Sequence, residues 1–210
     1  MNTNLYLVRH GESMLNAAGR VQGSQNDGDH NTLSPQGVLQ AQKLNLRLHE
    51  IPFACAYSSP SKRAMETASH VCQGRNIALL NEPNLREKEI GSLAGLTQAE
   101  FYARYAGWDD KTEDERLDMK VVADEENQRE LRLRVISTLT QIAKRHLKSS
   151  VLVVTHGGFM RSFYQYIKKI PFREMWAFEN CGYMIVDFTK GAFHIRETNG
   201  LLSINPDKIK

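Results

Sequence analysis

The run Val151-Leu152-Val153-Val154 constrains the fold more than any other stretch of this chain. It is apolar throughout and rich in β-branched residues, so a strand built from it must be covered on both faces. That is the pattern of a central strand in a parallel sheet. Parallel neighbours need helical crossovers, and helical patterns lie on either side. Leu131, Val135, Leu139 and Ile142 mark a long amphipathic helix before the run, with Ile136, Ala143 and Leu147 widening its apolar stripe. A helix through Phe163 and Ile167 follows it.

The same alternation fills the first third of the chain. Asn4–Val8 predicts a short buried strand, and Ser34-Pro35 supplies an N-cap and a first-turn proline. Val38, Ala41, Leu44 and Leu48 then recur at helical spacing over about four turns. Ala54–Tyr57 predicts a second strand, Ser58-Ser59-Pro60 repeats the capping arrangement, and Lys62–Cys72 continues as helix. Ile77–Leu80 predicts a short strand, while Tyr183–Phe188 and Ala192–Glu197 predict two antiparallel strands near the C-terminus. The expected class is α/β: a three-layer sandwich, mostly parallel, with helices on both faces. Residues 1–210 read as a single domain with a small cap insertion at about 93–125, where no clean period is visible.

Composition narrows the function classes. A net charge of +3 falls far short of the basic stripe of a nucleic-acid protein, so no nucleic-acid partner is expected. The N-terminal apolar run, Leu5–Val8, is too short for a secretory leader or a membrane span. Cys55, Cys72 and Cys181 are odd in number and widely spaced, which suits neither a disulfide framework nor a zinc clamp. Three buried, reduced thiols in a cytoplasmic protein are expected. His30, His49, His70, His146 and His194 read as surface or structural residues, and Trp108 and Trp176 as packing. No repeat or coiled-coil seam marks an oligomer interface.

Ligands of open α/β sheets bind outside the carboxyl ends of the strands. Three such ends here carry unusual residues: Arg9-His10, Ser58-Ser59 and His156-Gly157-Gly158. Arg63 falls in the first turn of the helix after Pro60, at the positive end of its dipole. Two histidines, two arginines and a helix N-terminus on one small volume call for an anion, most simply phosphate. Arginine presents a planar fork matched to phosphate oxygens, and Gly157 lets a backbone N–H approach closely. Flanking arginines disfavour a charged imidazole, which leaves at least one histidine as a nucleophile.

Four segments then resemble one known family. Leu7-Val8-Arg9-His10-Gly11-Glu12-Ser13, with Asn16 and Arg20-Val21-Gln22-Gly23, is similar to the opening motif of the histidine phosphatase superfamily, in its phosphoglycerate mutase-like branch. Tyr57–Ala64 with Thr67-Ala68, Leu85–Gly91 and Val154–Gly158 resemble the remaining motifs, in the expected order. The resemblance implies that His10 is the nucleophile and forms a phosphohistidine. It implies that Arg9, Asn16, Arg63 and His156 surround the phosphoryl oxygens, and that Gln22 and Gly23 line the entrance. Glu87 is the implied general acid, with Glu89 as its neighbour and competitor; a neutral carboxyl there calls for burial or negative neighbours. Glu126 stands in a Glu125-Glu126 pair where many members have Gly-Glu, although acidic residues ahead of a long helix also suit its dipole.

The activity expected from this resemblance is a phosphomonoesterase acting on a small phosphorylated metabolite. The alternative is a cofactor-dependent phosphoglycerate mutase. Mutase action calls for extra cations in the cap, yet residues 93–125 carry nine acidic side chains against Arg104, Lys111, Arg116 and Lys120. Such a surface would repel a bisphosphoglycerate if it faced the site. No His-Glu-x-x-His or comparable spacing is present, so neither a metal nor a cofactor is expected.

Overall fold

The structure is a computed structural model that describes residues 2–24, 31–105, 110–172 and 174–204. In chain order the elements are β1 (Asn2–Arg9), α1 (Met14–Ala17), α2 (Pro35–Leu48), β2 (Phe53–Ser58), α3 (Lys62–Cys72), β3 (Leu79–Asn81), α4 (Gln98–Ala103), α5 (Glu113–Asp118), α6 (Gln128–Arg145), β4 (Ser150–Thr155), α7 (Gly157–Lys168), β5 (Met175–Thr189) and β6 (Ala192–Ile204). They form one six-stranded sheet of order β3-β2-β4-β1-β5-β6. The first four strands of that order are parallel, while β5 runs antiparallel to β1 and β6 antiparallel to β5.

Strand β4 lies in the middle, and its four apolar residues are wholly inaccessible. The pleat sends alternate side chains to opposite faces. Leu5, Leu7, Val151 and Val153 pack against Leu131, Val135, Leu139 of α6 and Phe159, Phe163 of α7. Tyr6, Val8, Leu152 and Val154 pack on the other face against Ala41 and Leu44 of α2 and Ala64, Ala68 and Val71 of α3. These two clusters are the physical content of the three-layer α/β expectation.

The differences from the sequence reading lie at element ends. Strand β5 begins at Met175, well before Tyr183, because its pairing with β6 breaks between Phe178 and Tyr183 and resumes beyond a bulge. A period-2 reading stops at Asn180-Cys181-Gly182, where Cys181 takes φ of 58°. Likewise β6 runs on to Ile204. Ser34 caps α2 as expected, accepting from the Gly37 N–H at 3.0 Å. In α3 the cap falls on Ser61, not on Ser58-Ser59, and it makes no side-chain cap bond.

Several carboxylates of the acidic segment are engaged locally while remaining exposed. Glu100 and Glu115 close the capping boxes of α4 and α5. Asp114 and Asp118 pair with Arg129. Glu125 is buried, where it pairs with the buried Lys88 and accepts from the Tyr105 hydroxyl at 2.6 Å. Trp176 packs against Tyr164, as expected of a packing residue, whereas Trp108 and His30 lie outside the described residues. Cys55 and Cys72 are buried thiols, whereas Cys181, at the β5 bulge, is only half-buried. Among the described residues no helix is long and apolar enough to cross a membrane.

One backbone contact sets the path of the chain after β1. A Cβ at Gly37 would lie 2.0 Å from the Glu12 carbonyl oxygen, and a Cβ at Gly11 would lie 2.7 Å from the Gly37 oxygen. The turn after His10 therefore sits directly on the first turn of α2. Gly37→Ala should cost about 1–3 kcal/mol of stability through overpacking. In thermal unfolding this should read as a Tm lower by roughly 2–12 °C for a chain of this size. An unchanged Tm would show that the contact carries no constraint.

Candidate active site

In the sheet order β2-β4-β1, the three strands that carry the unusual residues are adjacent, and their carboxyl ends lie side by side. Arg9 pairs with Thr155, and Ser58 with Val154. The turn beyond β1 is fixed by the His10 N–H donating to Thr155 O at 2.9 Å, and the turn beyond β2 by the Ser59 N–H donating to Val154 O at 3.0 Å. Thr67 of α3 links the two sides: its hydroxyl accepts from the Gly11 N–H at 3.0 Å and donates to Arg63 O at 2.6 Å.

His10, Arg63 and His156 are buried together. His10 Nδ1 lies 2.7 Å from Gly11 O. A carbonyl oxygen only accepts, so Nδ1 carries the proton and Nε2 holds the lone pair. Arg63 Nε donates to that Nε2 at 3.3 Å. Arg63 Nη2 lies 3.1 Å from His156 Nδ1, which must accept from a guanidinium, and His156 Nε2 then donates to Ser59 Oγ at 2.8 Å. The two rings meet edge to face with centroids 5.2 Å apart.

Both imidazoles are therefore neutral, each with a fixed tautomer. Burial pushes the His10 pKa well below its ordinary value, and Arg63 and Arg9 push it in the same direction. Burial does the same for His156, reinforced by Arg63. Although His156 occupies the N-cap position of α7, its ring makes no cap bond. It faces Arg63 and Ser59 instead.

Arg9 completes the cationic side. One of its terminal nitrogens donates to Phe178 O, while its Nε is buried without a partner. Burial lowers the Arg9 pKa, and nearby Glu87 partly offsets that. A Cβ at Gly157 would lie 3.3 Å from Arg9 Nε, so this glycine lets the guanidinium rest on the start of α7. An orphaned guanidinium N–H beside two neutral imidazoles and a second arginine is suited to an oxyanion.

Glu87 sits at the same helix end. Its Oε2 accepts from the Gly158 N–H at 2.9 Å, and its Oε1 from those of Phe159 at 3.1 Å and Lys88 at 2.7 Å. A Cβ at Gly158 would lie 2.6 Å from Glu87 Oε1, which accounts for the second glycine of the pair. Burial or negative neighbours were the expected surroundings. Instead the carboxylate is half-buried and accepts from three N–H groups.

The remaining expected residues divide. Asn16 Oδ1 is taken by the Ser13 N–H at 3.2 Å and by Asn180 Nδ2 at 3.4 Å, which turns its amide nitrogen away from them. Gln22 Oε1 accepts from Ser13 Oγ at 3.0 Å, so Gln22 joins the wall behind Asn16, with the buried Gly23 beside it. Glu126 is held by Arg134 at 2.6 Å and contributes to the scaffold. The Glu89 backbone pairs with Glu126, its N–H donating to Oε2 at 3.3 Å.

Sequence reasoning missed Arg134 and Asn180. Arg134 Nη1 reaches from α6 to Asn84 O at 2.9 Å and Arg86 O at 2.8 Å, and so pins the loop that carries Glu87. An arginine within an amphipathic helix gives no sign of this. Asn180 Nδ2 donates to His10 O at 3.1 Å from the β5 bulge. Here a signal existed, since a glycine within a strand pattern marks such a bulge. Among the described residues no group of three or more His, Cys, Asp or Glu is placed to hold a metal ion.

Comparison with known proteins agrees with this geometry. The sequence model of the histidine phosphatase superfamily, branch 1, matches residues 5–200. The metal-independent phosphoserine phosphatase of Arabidopsis thaliana is 37% identical over 172 residues, covering 77% of this chain and 67% of that protein. Phosphoserine phosphatase 1 of Hydrogenobacter thermophilus is 30% identical over 184 residues, covering 87% and 85%. Among solved structures, Bacillus stearothermophilus YhfR superposes with a TM-score of 0.78 at 28% identity, covering 92% of this chain and 95% of that one. With four motifs meeting at one end of the sheet and a family match over nearly its whole length, the chain belongs to the histidine phosphatase superfamily, branch 1.

Proposed function

We propose that this chain is a phosphomonoesterase that takes the phosphoryl group of a small phosphorylated metabolite onto His10 Nε2 and passes it to water. One observation carries the reading: Nδ1 of a buried, neutral His10 is committed to Gly11 O, so its lone pair stands on Nε2, beside Arg63. The ester's phosphorus is attacked by that lone pair as the bond to the leaving oxygen breaks. Glu87 donates a proton to that oxygen. Water then attacks the phosphohistidine, Glu87 takes its proton, and breaking the N–P bond frees phosphate and restores His10.

Arg9, Arg63 and Asn16 bind the equatorial oxygens, where charge spreads in the transition state, and His156 joins them by turning its Nε2–H from Ser59 Oγ to a phosphoryl oxygen. The orphaned Arg9 Nε gains its missing acceptor, and Gly157 leaves room for the phosphate against α7. Gln22 and Gly23 border the approach. Phosphoserine is the first substrate to test, since two relatives carry that name. A cytoplasmic setting fits three unpaired thiols.

Phosphate release from phosphoserine or an aryl phosphate should vanish in His10→Ala, and rapidly quenched native protein should carry the label on a histidine. Interconversion of phosphoglycerates should be slow by comparison. Near-normal turnover in the variant would end the mechanism.

Glu87→Gln should lower kcat by about 10²–10⁴ with a much smaller change in the inhibition constant of phosphate, whereas Glu89→Gln should alter neither. In Glu87→Gln the new amide nitrogen would face a backbone N–H and cost about 1–3 kcal/mol of stability, so a melting curve accompanies the kinetics. The reverse pattern between the two sites would reassign the acid.

The pH profile follows from the lowered His10 pKa. In kcat/KM, the acid limb belonging to His10 should lie below pH 6.5, because the free enzyme keeps the ring neutral there. The unfolded chain, by contrast, protonates at its ordinary value. Stability should therefore fall as pH drops below about 6.5, where the unfolded state binds protons that His10 and His156 refuse. A His10 limb at or above its ordinary value would contradict the neutral ring.

A further inference from the structure

One buried charged cluster takes no part in the proposed chemistry. Lys88 and Glu125 are 6% and 2% exposed, and their side chains form an ion pair. Both oxygens of the Glu125 carboxylate are engaged. Oε1 accepts from the Lys88 ammonium and from the Tyr105 hydroxyl at 2.6 Å, and Oε2 from the Val121 N–H at 2.7 Å. Burial lowers the Lys88 pKa, and Glu125 works against that. Taking two charges out of water is costly, and a well-packed hydrophobic pair often serves stability as well or better. Stability alone is a weak reason for such a pair.

Lys88 is also the residue in contact with the proposed acid. Its N–H donates to Glu87 Oε1 at 2.7 Å, and its carbonyl accepts from the Ser24 N–H at 3.3 Å, one residue past Gly23. Arg134 holds this loop upstream at Arg86 O, and the Glu126 N–H holds it downstream at Glu89 O, at 2.8 Å. Between those anchors, residue 88 is fixed only by its bond from Ser24, its bond to Glu87 and its own side chain. That side chain reaches Glu125 in the segment between α5 and α6, and through it Tyr105, just after α4.

We propose that Lys88 is a positioning residue for Glu87. Its ion pair with Glu125, completed by Tyr105, fixes the backbone N–H that aims the Glu87 carboxyl at the leaving oxygen. The role rests on the phosphatase reading and deepens it. A proton donor must stand within hydrogen-bond reach of the oxygen it serves, and about 1 Å of misplacement can cost about 10²-fold in rate. Leaving groups differ in how much they need that proton. Nitrophenolate departs readily as an anion, whereas the more basic phenolate gains more from a donor. His10 and Arg9 stand at the end of β1 and Arg63 on α3, so loosening residue 88 should spare phosphate binding.

The test compares kcat/KM for phenyl phosphate and p-nitrophenyl phosphate, two esters of similar shape. Lys88→Met should lower it by roughly tenfold or more for the first and less than about threefold for the second. The inhibition constant of phosphate should change by less than about twofold. In the Glu87→Gln background, Lys88→Met should lower neither rate further, because the two residues act as a unit. Tyr105→Phe keeps the ion pair and should show the same split at smaller size; it decides if melting curves show that Lys88→Met does not fold. Equal losses on both esters, or losses that multiply with those of Glu87→Gln, would overturn the positioning role and leave a merely structural pair. A split in Glu87→Gln without one in Lys88→Met sinks this proposal alone. No split in either variant sinks the acid assignment with it.

Discussion

Arg63 is a guanidinium with no exposed surface that reaches His10 Nε2 with one nitrogen and His156 Nδ1 with another. Both contacts are possible only while the two imidazoles are neutral, since a protonated ring would set N–H against N–H. One cation thereby holds two histidines in their basic form and fixes the tautomer of each. Its place in the first turn of α3 adds the positive end of the helix dipole. The site is therefore rich in donors. Burying positive charge is costly unless a counter-charge arrives, and a phosphoryl group supplies it at the point where a lone pair waits. The cost that the fold bears without ligand becomes, with ligand, preorganised stabilisation of the transferring group.

Holding such a cluster takes backbone precision, which small residues supply. Gly11 and Gly37 bring two backbones into contact, and Gly157 and Gly158 clear the start of α7 for Arg9 and Glu87. Ser59 and Thr67 then use short hydroxyls to lock His156 and the turn after His10. None of these groups need touch phosphate. They decide where the groups that do so can stand.

The layers were legible in the sequence because they rest on local periodicity. A uniform apolar run at β4, an alternating face at β1 and helical spacing in α2, α3 and α6 each report burial residue by residue. Arg9, His10, Arg63, His156 and Gly157 were legible for a different reason: their types are chemically unusual at strand ends, and they converge as expected. Arg134 and the buried Lys88–Glu125 pair were not legible, because each joins residues about 37 or more apart and nothing local distinguishes them from surface charges. The partners of the acidic segment were hidden for the same reason. Glu100 and Glu115 serve as caps while Asp114, Asp118 and Glu125 enter ion pairs, the last buried, a choice set by tertiary partners.

Those hidden pairs show how the fold divides its work. The phosphate end is built from strand termini and helix starts, whose geometry is set by the sheet. Glu87, in contrast, rides on a loop whose position depends on Arg134 through Asn84 and Arg86, and whose next residue, Lys88, is tied to Glu125 beside Tyr105. The group proposed to serve the leaving oxygen is thus mechanically joined to the segment between β3 and α6, while His10, the proposed nucleophile, is joined to the sheet. Changes in that segment can move Glu87, the proposed proton donor, without disturbing His10. A scaffold arranged in this way can keep one phosphoryl chemistry and vary its substrate.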